Sequence, residues 1–252
     1  MIDNRISLLG IPVDAYTMDQ TVDLIDKNIS RNMPTHHVVV NAAKLVYAMK
    51  NRELRDSIIN CDLINPDGQS VVWASRFLKR PLKERVTGID LMERLVERAH
   101  QRRYKIFLLG AEEEVVKEVA RKYITKYGHG IIAGYRNGYY SANNEETVAH
   151  MLADSGAHML FVAMTSPKKE IFLNKYKNII KIPFIMGVGG SFDVISGKTK
   201  RAPVWMQKLG VEWLYRMLQE PKRLGKRYLT TNSLFVYYVL KEKFSLNRQL
   251  NK

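Results

Sequence analysis

Cysteine is nearly absent from the chain, since Cys61 is the single one among 252 residues. One thiol cannot build a disulfide framework, and it cannot supply a cysteine-based zinc site. Cys61 opens the strand-like run CDLIN (61–65), and free cysteines are usually buried. We therefore expect a core thiol at this position.

Long apolar runs are missing as well. The longest late run is LFVYYVL (234–240), far short of the ~20 residues that a membrane-spanning helix needs. The first ten residues, MIDNRISLLG, lack the basic-then-apolar pattern of a signal peptide. These features predict a cytoplasmic protein that meets a membrane only at its surface.

Several signatures of catalysis and cofactor binding are also absent. The six histidines show no metal-ligand spacing, and the chain has neither a G-x-S-x-G elbow nor an Asp-x-Asp pair for a divalent metal. The run SGKT (196–199) imitates the end of a phosphate loop, but Phe192 stands where that loop needs glycine. We expect neither a metal nor a cofactor. If a diphosphate is bound, basic side chains and backbone amides would have to neutralise its charge.

Acidic residues are outnumbered, with 25 Asp and Glu against 40 Lys and Arg, for a net charge of +15. Residues 198–252 hold 13 Lys and Arg against 3 acidic residues, which accounts for +10 of that excess. Trp205, Trp213, Tyr215 and Tyr228 lie among these charges. Aromatic rings settle at the headgroup level while cations meet anionic lipid, so we expect this segment to bind an anionic membrane surface.

Short apolar runs alternate with amphipathic stretches of helical length over most of the chain. This alternation predicts βαβ units and an α/β fold with a mostly parallel sheet. The predicted strands are 36–41, 61–65, 104–110, 130–135, 158–164 and 182–189, and the clearest predicted helices are 17–32, 88–103, 112–127, 144–155 and 168–179. Ligands on such sheets bind at the carboxyl ends of the strands, which directs attention to the loops there.

The pattern changes near residue 200. Residues 203–219 are predicted to form a helix that begins at Pro203, a favoured first helical position. Pro221 starts another basic segment, and 232–246 is a third helical pattern. We therefore divide the chain into an α/β core (1–200) and a basic amphipathic C-terminal appendage (201–252).

Three loop residues are candidates for chemistry. Asp67 lies in NPDG (65–68), which is either a simple turn or a carboxylate placed to accept a proton from a substrate hydroxyl. Asn41 ends a predicted strand, where it either caps the next helix or contacts a ligand. Arg85, beside Thr87 and Gly88, either binds phosphate or is solvated.

The loop TSPKKE (165–170) is a candidate anion site. Ser166 is expected to cap the following helix and Pro167 to take its first position. The helix N-terminus, with Lys168 and Lys169, would then present positive charge to an anion. The alternative is that both lysines are merely solvated.

Taken together, these loops resemble the WecG/TagA/CpsF family of bacterial glycosyltransferases. The resemblance covers nearly the whole chain and rests on VNAAKLVYA, INPDGQSVVWA, RVTGIDL, FLLGA, GYRNGYY, SPKKE and the long segment GVGGSFDVISGKTKRAPVWMQKLGVEWLYRMLQEPKRLGKRYL. It implies an inverting enzyme, peripheral on the inner face of the cell membrane, that needs no metal. Such an enzyme moves a sugar from a UDP-sugar to a polyprenyl-diphosphate-linked sugar in cell-wall or extracellular polysaccharide synthesis.

The resemblance also assigns roles to residues. It implies that Asp67 is the general base and that Arg85 lies near the diphosphate. It places Asn41 and Lys169 among the substrate-binding residues. It further implies an acceptor side at about 1–103, a Rossmann-like UDP-sugar side at about 104–200, and a helical, membrane-docking appendage. The remaining substrate-binding candidates are Gly110, Gly134, Gly187 and Gly189 on the nucleotide side, and Arg216, Arg223 and Lys226 on the appendage.

Two positions depart from the family pattern. Val39 stands where the family usually has threonine, and Lys169 stands where it usually has glutamine. Both changes alter the hydrogen bonding available to a sugar or diphosphate, so the donor sugar is left unassigned. A non-catalytic scaffold in a polysaccharide complex is one alternative. A nucleic-acid-binding protein is another, although no nucleic-acid-binding motif appears. Homo-oligomerisation is left open.

Overall fold

A parallel β-sheet forms the centre of the molecule. The computed structural model describes residues 4–250, apart from the side chains of Arg223 and of residues 247–250. A small antiparallel pair, β1 (Arg5–Leu8) and β2 (Ile11–Asp14), precedes the sheet. The sheet strands are β3 (Thr35–Val40), β4 (Leu63–Pro66), β5 (Ile106–Gly110), β6 (Ile132–Arg136), β7 (Met159–Ala163) and β8 (Phe184–Gly187). All five neighbouring pairs are parallel, in the order β4-β3-β8-β7-β5-β6.

Helices connect these strands and continue beyond them. Those of the first 200 residues are α1 (Met18–Ser30), α2 (Ala42–Lys50), α3 (Arg52–Ile59), α4 (Gln69–Phe77), α5 (Gly88–Arg102), α6 (Glu113–Tyr127), α7 (Glu145–Ala153), α8 (Lys168–Ile180) and α9 (Ser191–Ser196). The C-terminal segment forms α10 (Val204–Lys208), α11 (Glu212–Gln219) and α12 (Pro221–Leu250). None of the helices within residues 4–250 is both long enough and apolar enough to cross a bilayer.

The core lies on both faces of the sheet, because successive strand side chains point to opposite sides. On β5, Ile106 and Leu108 pack into one cluster with α1, α5 and α6, whereas Phe107 and Leu109 pack against α7 and α8. The first face carries a single continuous cluster. The second face is divided between that cluster under α7 and α8 and another under β1, β2, α2 and α4.

The alternating pattern of the sequence predicts this α/β architecture correctly. Each of the six predicted strands and five predicted helices is present, with ends shifted by no more than a few residues. The predicted capping box of α1 is formed, with the Thr17 side chain accepting from Gln20 and the Gln20 side chain accepting from Thr17. Cys61 is buried as expected, and burial raises the pKa of its thiol to about 12.

The predictions for the C-terminal segment need correction. Residues 204–219 form two helices rather than one, because the backbone turns at Gly210 with φ of 73°. The first of them begins at Val204, and Pro203 is its N-cap rather than its first residue. Residues 221–250 form one continuous helix, so the expected boundary before residue 232 does not exist. A separate correction concerns α8, which begins at Lys168 without a side-chain cap. Pro167 is its N-cap rather than its first residue, and Ser166 does not cap it. The division of the chain near residue 200 stays a prediction.

Helix α12 returns along the core. Phe235 and Val239 are buried in the cluster that contains β1, β2 and α2. Glu242 accepts a hydrogen bond from the Leu9 backbone at 2.8 Å and pairs with Arg80 at 2.8 Å. The C-terminal helix is therefore part of the packing of the first strands rather than a detached tail.

Candidate active site

The carboxyl edge of the sheet contains two places where the chain changes direction. From β3 the chain moves outward to β4, and it later returns to place β8 on the other side of β3. From β5 it likewise moves to β6 and then back to β7. The strand ends diverge at such switch points and leave crevices, which is where ligands bind on open α/β sheets.

Asp67 lies at this edge, directly after β4. Its backbone N–H donates to the carbonyl of Val40 at 2.9 Å, and its Oδ1 accepts from the backbone N–H of Gly88 at 3.2 Å. Gly88 begins α5, so the carboxylate lies at the positive end of a helix. The side chain is partly exposed. This carboxylate is thus fixed in orientation and still accessible to a substrate.

Asn41 is adjacent to the Asp67 loop and acts as a helix cap. Its Oδ1 accepts from the backbone N–H of Lys44 at 3.0 Å, which caps α2. A Cβ atom on Gly68 would lie 3.4 Å from the Asn41 Cβ, so the ends of β3 and β4 are in contact. The capping interpretation is therefore confirmed, while contact with a ligand stays a prediction.

A buried ion cluster lies in the crevice between β3 and β8. Lys44 Nζ and Lys169 Nζ both approach Glu170 Oε1, at 2.8 Å and 2.9 Å. All three residues are buried. The aliphatic part of the Lys169 side chain packs against Gly187, since a Cβ on Gly187 would lie 2.9 Å from Lys169 Cε. Lys169 is thus not solvated, and it lies at the end of β8 as a candidate for contact with an anion.

The charges of this cluster determine two pKa shifts. Burial raises the pKa of the Glu170 carboxyl, but the attraction of Lys44 and Lys169 outweighs burial and holds that pKa well below its usual range. Burial and the neighbouring Lys44 lower the pKa of Lys169 to about 8, against the opposing effect of Glu170. Two ammonium groups for one carboxylate leave a positive charge unbalanced within the cluster.

Lys168 behaves differently from its neighbour. It is exposed, and its Nζ lies 4.8 Å from the centroid of the Tyr140 ring. The two lysines of the predicted anion site therefore occupy different environments, one over an aromatic face and one in the interior.

Arg85 connects the core to the C-terminal segment. Its Nη2 donates to the carbonyl of Gln207 at 3.1 Å, and its Nη1 lies 3.9 Å from Glu212 Oε2. A Cβ on Gly210 would lie 2.4 Å from the Cβ of Gln69, so the turn between α10 and α11 rests on the start of α4. The segment after residue 200 therefore packs against the loop that carries Asp67.

Arg201 also belongs to this part of the molecule, although the sequence analysis did not single it out. Its Nη1 and Nη2 contact the two carboxylate oxygens of Asp90 at 2.6 Å and 2.8 Å. Burial lowers the pKa of Arg201, but the carboxylates of Asp90, Glu212 and Asp67 raise it above its ordinary value. Its position in the basic run KTKR (198–201) was the available signal, but the run did not distinguish it from solvated neighbours.

The structure describes the surroundings of the three appendage residues expected at the site to different extents. Arg216 on α11 has its Nη2 3.6 Å from Glu212 Oε1. Lys226 is exposed on α12. Arg223 lies in α12, but its side chain is outside the described part of the structure. The structure thus brings Arg216 toward Arg85 and Arg201, and the roles of Arg223 and Lys226 stay predictions.

The glycines expected on the nucleotide side lie at or near strand ends. Gly110 ends β5 with φ of 122°, and a Cβ there would lie 2.4 Å from the carbonyl oxygen of Ala163. Glycine is required at this switch point by the close approach of two strands. Gly134 lies within β6 rather than in a loop, against the ring of Phe107. Gly187 ends β8, and Gly189 follows it with φ of 54°.

Two further surface clefts are present in the described part of the chain. One of about 340 Å³ is bordered by α5, α6 and α9 and includes Lys122 and Arg201. Another of about 470 Å³ lies at the amino ends of the strands and includes His36 and Asp62. Neither is lined by Asp67 or Arg85. Residues 4–250 contain no group of three or more His, Cys, Asp or Glu placed to hold a metal ion.

Comparisons with known proteins identify the family of the chain. Residues 6–249 match the sequence model of the family described as "Glycosyl transferase WecG/TagA/CpsF family". An N-acetylglucosaminyldiphosphoundecaprenol N-acetyl-beta-D-mannosaminyltransferase of Bacillus subtilis (strain 168) is 35% identical over 93% of this chain and 90% of its own length. A protein of the same name from Staphylococcus aureus (strain MW2) is 34% identical over 97% of this chain and 95% of its own.

These matches extend over almost all of the sheet, the carboxyl-edge loops and the three C-terminal helices. At this identity and coverage they establish the family of the chain and its class of activity. The protein is a glycosyltransferase and belongs to the WecG/TagA/CpsF family.

Proposed function

We propose that the protein transfers a sugar, with inversion, from a UDP-sugar to a polyprenyl-diphosphate-linked sugar. The acceptor class follows from the names of the two relatives, which both act on an undecaprenyl-diphosphate-linked sugar. The observation that carries the proposal is the position of Asp67, a partly exposed carboxylate at the carboxyl edge of the sheet. The arginine-bearing C-terminal segment packs against its loop.

The reaction is a direct displacement. The acceptor hydroxyl oxygen attacks the anomeric carbon of the donor as its proton passes to Asp67. The bond from that carbon to the diphosphate oxygen breaks, and UDP leaves with the bonding electrons. The hydrogen bond from Gly88 to Oδ1 holds the carboxylate in place while it accepts the proton.

Charge develops on the leaving diphosphate, and cationic groups are needed to stabilise it. Arg85 and Arg216 approach the same carboxylate, that of Glu212, from the core and from the appendage. Removal of one such group typically reduces the rate about 10²–10³-fold. In this proposal the guanidinium groups take the place of a divalent metal.

We also propose that the enzyme works at the inner face of the cell membrane as a peripheral protein. The three C-terminal helices carry exposed apolar and aromatic side chains beside their lysines and arginines, and examples are Trp205, Leu218 and Leu229. Such a surface suits an anionic membrane, where a lipid-linked acceptor would be presented.

The test of the base is Asp67→Asn. We expect the variant to fold normally and to transfer sugar at least about 10²-fold more slowly, because asparagine cannot accept the proton. The assay supplies a panel of UDP-sugars with a short-chain lipid-diphosphate acceptor and measures UDP release and product. Asp154→Asn makes the same chemical change at an exposed position just after α7 and should leave the rate unaltered.

Two results would contradict the proposal at different points. Unchanged turnover in Asp67→Asn would remove the assigned base. Failure of the unaltered protein to transfer or hydrolyse any UDP-sugar of the panel would refute the UDP-sugar donor.

A second test addresses the metal. We expect EDTA to leave the transfer rate unchanged, because arginines rather than a divalent ion stabilise the diphosphate. Strict dependence of the same assay on added Mg²⁺ or Mn²⁺ would refute this part of the proposal.

A further inference from the structure

The carboxylate of Glu212 lies among three arginines without a close hydrogen bond to any of them. Its oxygens are 3.6 Å from Arg216 Nη2, 3.8 Å from Arg201 Nε and 3.9 Å from Arg85 Nη1. Hydrogen bonds between nitrogen and oxygen are typically about 2.7–3.2 Å long. Oε1 of Glu212 and Nε of Arg201 are buried and have no hydrogen-bond partner among the described residues.

The contrast with Asp90 shows that this arrangement is unusual within the same site. Asp90 and Arg201 form a two-pronged pair at 2.6 Å and 2.8 Å, which satisfies one edge of the guanidinium. The remaining Nε of Arg201 lies 3.8 Å from Glu212 Oε1, too far for a hydrogen bond. A carboxylate that is only 13% exposed would normally need close partners to offset its lost hydration.

Three guanidinium groups around one small carboxylate provide more donors than it can use. A diphosphate is larger, carries more negative charge and offers several oxygens, each of which can accept from a separate guanidinium. Arg85 belongs to the loop that leads into α5, where Gly88 holds Asp67. The Asp67 carboxylate is also close enough to Arg201 to raise the pKa of its guanidinium. Arg85 and Arg201 are therefore near the proposed base, where the leaving diphosphate would be.

We propose that Arg85, Arg201 and Arg216 together form the diphosphate-binding group, and that Glu212 occupies it in the ligand-free protein as an internal competitor. Arg201 is thereby added to the binding residues. An entering diphosphate displaces the Glu212 carboxylate and takes over the three guanidinium groups. The identity of the ligand as a nucleotide diphosphate rests on the proposed function.

The test measures the binding of inorganic pyrophosphate to the full-length protein by titration calorimetry, at fixed ionic strength and without metal. Glu212→Gln should bind pyrophosphate about 5-fold or more tightly than the unaltered protein, because the competing charge is gone. Glu114→Gln removes the same charge at a position that is 89% exposed on α6, and it should bind like the unaltered protein. Arg201→Gln should bind about 10-fold more weakly.

A double variant separates competition from disturbance of the fold. The gain from Glu212→Gln should largely disappear when Arg201→Gln is also present, because the two side chains act on the same ligand. A Glu212→Gln protein that binds pyrophosphate no better than the unaltered chain would show that Glu212 only fastens α11 to the core. Equal affinity of Arg201→Gln and the unaltered protein would remove Arg201 from the binding group.

The outcome is independent of the transfer assay, since pyrophosphate carries neither sugar nor lipid. A protein that shows the expected pyrophosphate affinities but transfers no sugar would refute the proposed function and leave the arginine group standing. Normal sugar transfer with unchanged pyrophosphate affinity in Glu212→Gln would refute the internal competitor alone.

Discussion

The ammonium group of Lys169 is buried beside that of Lys44, and the two share one oxygen of Glu170. An isolated lysine in the interior would lose its charge because of desolvation, and here a second cation adds to that effect. Glu170 opposes both influences, so the pKa of Lys169 is lowered only to about 8. Lys169 is therefore poised to change its charge within a readily accessible pH range.

This shift predicts a pH dependence of stability. The folded protein releases the Lys169 proton near pH 8, whereas the unfolded chain keeps it up to about 10.5. The unfolded state thus binds more protons between these values, and the free energy of unfolding should rise with pH across that window. Relative to Lys169→Gln, the unaltered protein should gain up to about 3 kcal/mol, as measured by urea denaturation at a series of pH values.

Titrating groups away from the cluster of Lys44, Lys169 and Glu170 are the same in both proteins, so their contributions cancel in the difference. A difference in unfolding free energy that stays constant from pH 7 to 11 would show that Lys169 does not titrate in this window.

For individual residues, the sequence predicted where the site residues lie better than it predicted which side chains they contact. Asp67, Asn41, Arg85 and Lys169 all lie at or beside the carboxyl edge, because parallel strands with helical connections place their following loops there. Lys44, Glu170, Arg201 and Glu212 were not predicted from the sequence, and each forms an ion pair with a residue far away in the chain. Such pairings depend on tertiary packing, and a single charged residue in a sequence looks the same whether it is buried or solvated.

Among the secondary-structure elements, the turn between α10 and α11 has the greatest consequence for the site. Gly210 adopts φ of 73° there, and its backbone lies directly against the side chain of Gln69. Gln69 begins α4, two residues after Asp67. The turn therefore lets the appendage approach the proposed base more closely than a side chain at position 210 would allow.

Gly210→Ala tests this contact. Alanine at positive φ costs about 1–2 kcal/mol, and its Cβ would collide with Gln69, so α10 and α11 should shift away from the Asp67 loop. We expect a loss of about 10²-fold in the rate of sugar transfer, because small misplacements of binding groups are costly. The rate is measured with the UDP-sugar that gives transfer in the panel.

Gly225→Ala is the matched control. A Cβ at Gly225 meets no atom within 4 Å, and the residue lies inside α12. This variant should keep full activity and gain about 0.5–1 kcal/mol in stability. Equal activity of Gly210→Ala and Gly225→Ala would show that the turn has no part in catalysis.

The elements themselves were largely predictable up to residue 200 and less so beyond it. Up to residue 200, the buried strands are short continuous apolar runs, and the helices between them show the periodic apolar pattern of amphipathic helices. In residues 203–219 the helical period continues through Gly210, and the break depends on a contact with Gln69 that the local sequence does not reveal. In α12, Gly225 does not interrupt the helix, because a single glycine lowers helix stability without preventing a well-packed helix.

Over the whole molecule, the positive charge and the exposed apolar side chains of the C-terminal segment lie on three helices that are also packed on the core. Phe235 and Val239 of α12 belong to a core cluster, so removal of the segment would expose apolar surface and confuse any test of membrane binding. Substitution of exposed cations is the cleaner experiment.

Replacement of Lys222, Lys226 and Arg227 by glutamine should weaken binding to anionic vesicles. These residues are exposed at the start of α12, and each cation near an anionic surface contributes about 1 kcal/mol. We expect roughly a 100-fold loss of affinity in flotation with vesicles that contain anionic phospholipid.

A control triple substitution removes three positive charges elsewhere, so that both variants have the same net charge. Lys50, Lys105 and Lys181 are exposed on the core, and their change to glutamine should leave vesicle binding nearly unaltered. Equal losses in both triple variants would indicate attraction by overall charge rather than by the C-terminal surface.

The pairing of β8 with both β3 and β7 sets an order in which the protein can be completed during its synthesis. A nascent chain that has emerged only as far as residue 180 contains the strands of two separate pieces, β4-β3 and β7-β5-β6, with a gap between them. The gap closes only when residues 184–187 leave the ribosome, and α12 must follow before Phe235 and Val239 can cover the first strands. We therefore expect that native structure is acquired near the end of translation, and that stalled chains shorter than this expose open strand edges to chaperones.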